Sequence, residues 1–164
     1  MRFPNKIGRL AAAMLIVSAP VSFVWTTAAQ AGVPGSTSPI NVDEHGVALR
    51  GYDPVAYFDG GKPTHGVATI FVSYEGTRYL FASEAHRKAF LDAPTKYIPQ
   101  FGGFCALGTA EGEKVDADPQ TGEVINGKLY VNFNEKALGI FNKDQSGTIA
   151  HAQQNWQAVQ KKAL

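Results

Sequence analysis

Three observations predict an α+β fold with antiparallel sheet. Strand-like runs come in pairs joined by two-residue turn signals, Glu75-Gly76 and Asn126-Gly127. Helix-like segments follow each pair instead of alternating with single strands, which separates the fold from a parallel α/β sheet. The composition, 45% hydrophobic and 18% charged over 164 residues, is that of a globular chain with a core to bury. The expected architecture is a small antiparallel sheet of hairpins packed with several short helices and a C-terminal helix.

Residues 1–31 stand apart. Arg2, Lys6 and Arg9 precede the apolar run "LAAAMLIVSAPVSFVW", and Ala29-Gln30-Ala31 closes it with small residues. That order predicts a secretory signal peptide cleaved before Gly32. An uncleaved anchor is the alternative, since a bilayer span needs roughly 18 to 20 apolar residues, but Pro20 and Ser22 interrupt the run. A periplasmic or secreted location follows from cleavage. Residues 32–39, "GVPGSTSP", read as a flexible lead, and residues 40–164 as a single domain.

Within that domain, Asp53 is expected to cap a short helix with Pro54 at its first position. A hairpin is expected from about Ala68 to Ala82. Ser83 is the N-cap of a helix of about ten residues that Pro94 stops. On that helix Ala82, His86, Ala89, Phe90 and Ala93 share a face, so His86 points toward the core side. "PTKYIPQFGGFCALGTAEG" reads as a helical turn, a break at Gly102-Gly103 and a short helix bearing Cys105. "GEVINGKLYVNF" forms the second hairpin, Asn134 begins another helix, and Ile149, Ala152, Trp156 and Val159 mark the apolar face of the last one. The aromatics Tyr52, Tyr57, Phe58, Phe101 and Phe104 are expected to build core.

Charge narrows the function. Without residues 1–31, twelve Lys and Arg face fourteen Asp and Glu, a net charge of −2. The mature domain therefore lacks the basic footprint of a nucleic-acid binder and the polybasic cluster that holds proteins on anionic membranes. Cys105 is the only cysteine, so no intramolecular disulfide forms.

The residues with chemistry to offer are His86, Cys105 and His65. One thiolate and two imidazoles would suit a soft transition metal such as copper(I). His86 has a plainer reading as a partly buried imidazole on the inner face of its helix, hydrogen-bonded to backbone or to a nearby Tyr hydroxyl. Cys105 is either a small buried hydrophobe or a thiol activated at a helix start. His65, in "KPTHGVA", is otherwise a solvated turn residue. Asp116 to Glu123, "DADPQTGE", has alternating acids but lacks the glycine and glutamate of a calcium loop, so a solvated turn is expected. No G-x-S-x-G, H-E-x-x-H or phosphate-cradling loop is present, and a Cys–His pair alone is weak ground for a thiol-dependent enzyme.

"DPV" at Asp53 to Val55, with "YEGTRYLFASEAHRKAFLDAPTKY" from Tyr74 to Tyr97, resembles the YHS domain. From Gly51 to Trp156 the chain is similar to secreted bacterial YHS-domain proteins, through "GYDPVAYF", "PQFGGFCA" and the terminal "NW". The resemblance implies a binding module that handles a soft metal, held by cysteines after "DPV" and in an "FCSxxC"-like segment. This chain departs from that pattern: Ala56 and Ala82 stand at the first two thiol positions and His86 at the third. Two functions follow, a His/Cys copper site or a metal-free scaffold for a protein or small molecule whose metal site has decayed.

Overall fold

The computed structural model describes residues 32–60 and 62–164. The expected signal peptide therefore lies outside the described residues. Among the described residues the fold is α+β, with two separate two-stranded antiparallel sheets and five α-helices.

The first hairpin joins β1 (Val67–Tyr74) to β2 (Thr77–Phe81). Glu75 and Gly76 both take positive φ, 49° and 78°, the type I′ geometry whose twist matches the strands it links. Ile70, Val72 and Tyr74 alternate inward against buried Tyr79, Phe81 and Phe90. The register slips between Val67 and Phe71. Gly66 passes so close to β2 there that a Cβ would lie 2.5 Å from the Leu80 carbonyl carbon.

Helix α1 (Glu84–Asp92) starts where Ser83 Oγ accepts the His86 N–H, and Pro94 opens the next helix, α2 (Pro94–Tyr97). The Gly102-Gly103 break is real: Phe101 and both glycines have positive φ, and a Cβ on Gly102 would meet the Pro39 carbonyl oxygen at 2.0 Å. Cys105 then caps α3 (Ala106–Ala110).

Two readings are corrected. Residues 54–60 form successive turns, not a helix: Asp53 caps as expected, its Oδ1 accepting the Val55 N–H, but the chain never extends into helical hydrogen bonding. The acidic stretch expected as a solvated turn is largely strand β3 (Asp118–Ile125), with Thr121 buried and its hydroxyl bonded to Asn132 O. Its partner is β4 (Lys128–Asn132), across Asn126-Gly127 at φ 50° and 73°. Helices α4 (Glu135–Phe141) and α5 (Gln145–Val159) complete the chain, capped by Asn134 and Asp144 side chains. Ala152 and Val159 of α5 are buried.

Three apolar clusters make the core. One centres on Phe81 and Phe90, one on Tyr57, Leu129 and Val131, and one on Phe101, Tyr130 and Phe141. Of the five aromatics expected inside, Tyr57, Phe101 and Phe104 are buried, while Tyr52 and Phe58 are half-buried. The lead is hydrogen-bonded to the C-terminal segment and to Lys114. Gly35 N–H donates to Leu164 O, Leu164 N–H to Ser36 O, and the buried Lys114 ammonium to Ser38 O (2.6 Å) and Lys162 O (3.0 Å). No described helix is long and apolar enough to cross a membrane.

Candidate functional site

Asp53 is the organising residue. Its side chain is 0% exposed, and burial of a carboxylate is costly unless every oxygen is engaged. Oδ1 accepts from Val55 N–H at 2.8 Å, and Oδ2 accepts from Ala82 N–H at 2.8 Å and from His86 Nδ1 at 2.6 Å. Asp53 N–H donates in turn to Thr64 O at 2.8 Å. One side chain thus joins the turn at residues 53–55, the end of β2 and the first turn of α1.

The consequence falls on His86. An ionised carboxylate only accepts, so Nδ1 carries its proton toward Asp53 and the ring is held in one orientation. Nε2 is left facing outward, 3.2 Å from Asp59 Oδ2. His86 is 21% exposed and Asp59 68% exposed, so the pair opens to solvent. Around them lies a shallow pocket of about 250 Å³ lined by Ala56, Asp59, Gly60, Lys62, Thr64 and His86. An Nε2 protonated in this setting is an imidazolium between two carboxylates. Deprotonated, it is a lone-pair donor beside a second oxygen donor, the inner partner being the kind of carboxylate that orients metal-ligating histidines.

Cys105 sits elsewhere. It is 2% exposed, and its Sγ accepts N–H bonds from Gly108 and Phe133, both at 3.3 Å, while the thiol approaches Asn132 Oδ1 at 3.8 Å. Burial pushes its pKa up, and the hydrogen bonds from Gly108 and Phe133 offset that only in part. The activation expected from a helix start is therefore outweighed, and the thiol serves as a cap. His65 is exposed, bridged through its backbone to Tyr52 and packed at a 34° tilt against the Tyr52 ring with centroids 3.8 Å apart.

The structure does not bring His86, Cys105 and His65 together as one ligand set. Among the described residues, no group of three His, Cys, Asp or Glu side chains is placed to hold a metal ion. The reason is topological: Cys105 is bridged to Val131 of β4, whereas His86 is drawn to Asp53 beside the end of β2. The expectation that His86 turns inward on α1 agrees with the structure, but its partners are carboxylates and not the backbone or a tyrosine hydroxyl. Asp53 and Asp59 were not expected as site residues. Asp53 had a local role as a cap, and the 33 residues that separate it from His86 obey no spacing rule. Comparison with protein-family models, curated proteins and solved structures found no match to the chain.

Proposed function

We infer that this is an exported binding module, of the kind the YHS-like segments imply, that takes a transition-metal ion in the pocket at His86. The observation that supports this is the Asp53–His86 pair, a buried carboxylate fixing an imidazole whose second nitrogen meets Asp59 at the surface. His86 Nε2 and Asp59 would supply two protein donors to such an ion, with solvent or a carrier molecule completing its shell. A nitrogen and a carboxylate oxygen, without a thiolate, suit copper(II) better than copper(I), and copper(II) binds such donors most tightly of the divalent first-row ions. Two protein donors make an open site suited to exchange.

Copper(II) titration of the metal-free exported protein against a competing chelator tests the reading. His86→Ala should weaken binding at least tenfold, Asp59→Asn should weaken it less, and Cys105→Ser should leave it unchanged. No retained copper(II) in the wild type, or a dependence on Cys105, would overturn it.

The shortage of donors also supports a second reading, a metal-free scaffold whose pocket takes a small molecule or peptide against Asp59, Lys62 and Thr64. Its signature would be a ligand that perturbs the His86 ring resonances in the presence of excess chelator.

A further inference from the structure

Gly32 is the residue expected to become the first of the mature chain, and it is buried. A Cβ built there would be 2.5 Å from Leu164 Cδ2, 3.1 Å from Asn41 Oδ1 and 3.3 Å from Asp116 Cγ. A side chain there would displace the end of Leu164, and the residue's φ of 100° belongs to glycine. Next to it is a cavity of about 150 Å³ bounded by Gly32, Pro34, Asp116 and Leu164.

The polar lining has an unmet need. Asn41 is only 7% exposed, and its Nδ2 is fully used, donating to Gly103 O at 3.0 Å and Asp116 Oδ1 at 2.8 Å. That assignment leaves Oδ1 as the outward acceptor, buried and without a partner among the described residues. A buried acceptor left unpaired destabilises the fold. Asp116, 15% exposed, takes Arg50 Nη2 on Oδ2 at 3.0 Å and the Ala117 N–H on Oδ1 at 2.7 Å. Lys114, the nearest other cation in sequence, is turned to the carbonyls of Ser38, Gln160 and Lys162.

We propose that export completes this pocket: hydrolysis of the Ala31–Gly32 bond makes an α-ammonium that docks between Asn41 Oδ1 and Asp116, locking the lead onto the C-terminal segment. The step consumes one water and leaves a carboxylate on Ala31 and an ammonium on Gly32. In the precursor the same nitrogen is an amide with one N–H and no charge. After cleavage it has three N–H donors and a positive charge, beside one orphaned acceptor and one carboxylate. The inference rests on the expected signal peptide and is independent of the metal.

The test exports the protein from its full precursor and reads the mature terminus by mass spectrometry. One alanine inserted between Ala31 and Gly32 displaces the amino group by a residue. The thermal midpoint should then fall by about 4 °C, and the same insertion should cost little in an Asp116→Asn background. The Gly32 amino group should also acylate at least several-fold more slowly in the folded protein than in urea. A mature terminus other than Gly32 overturns the cleavage reading and the docking with it. A Gly32 terminus with an unchanged midpoint, equal losses in both backgrounds, or unretarded acylation overturns the docking alone.

Discussion

Asp53 shows how a single buried carboxylate serves both the fold and the site. Its two oxygens take three N–H donors, so Asp53→Asn removes one acceptor and presents an NH2 to groups that themselves donate. The expected cost is about 3 kcal/mol in urea unfolding, with affinity at the proposed copper(II) site falling a further 10–100-fold because His86 loses its orientation. Asp59→Asn, at an exposed position, should leave stability within about 0.5 kcal/mol and change affinity only. Equal destabilisation by the two substitutions would contradict the assigned roles. Cys105 separates in the same manner. Cys105→Ala strands the Gly108 and Phe133 N–H groups and should cost about 2–3 kcal/mol, whereas Cys105→Ser keeps an acceptor and should cost less than half of that. If serine proved as damaging as alanine, packing of the sulfur and not its capping would be the reason it is buried.

At the scale of elements, the features legible in the chain are those whose cause is local. Glu75-Gly76 and Asn126-Gly127 made both hairpins readable because a type I′ turn needs positive φ at two adjacent residues. Ser83 was readable as a cap because its partner is three residues on. Gly66 was not, since what demands glycine there is the backbone of β2 lying across it. Gly66→Ala should therefore cost about 1–3 kcal/mol and speed amide exchange at Leu80 and Phe81. A neutral result would show that the strand can shift aside. The acidic stretch at residues 116–123 failed as a turn for a related reason. Its polar pattern gave no sign that Thr121 would bond across to Asn132 and be buried.

On the scale of the whole molecule, a chain with one cysteine forms no internal disulfide, and among the described residues three apolar clusters with aromatic side chains hold the fold. Burial pushes the Tyr79 phenol up to about 12 from the usual 10, and raises Tyr57 further in the same direction. The unfolded chain loses the Tyr79 proton from about pH 10, while the native state holds it until about pH 12. Stability present below pH 10 is thus lost as the pH rises toward 12. The urea midpoint should fall across that window, and Tyr79→Phe should flatten the fall. A midpoint independent of pH there would mean that the phenols titrate without unfolding.

By itself the sequence determined the α+β class, the two hairpins, the caps at Ser83 and Asn134 and the inward turn of His86, because turns, caps and amphipathic faces depend on residues within one or two helical turns. Tertiary structure decided which groups meet. Asp53 reaches His86 across 33 residues, Cys105 is spent on Asn132 across 27, and Asn41 joins Asp116 across 75. Such pairings are set by how hairpins and helices pack, and burial then decides whether a histidine is an open donor or a cysteine a silent cap.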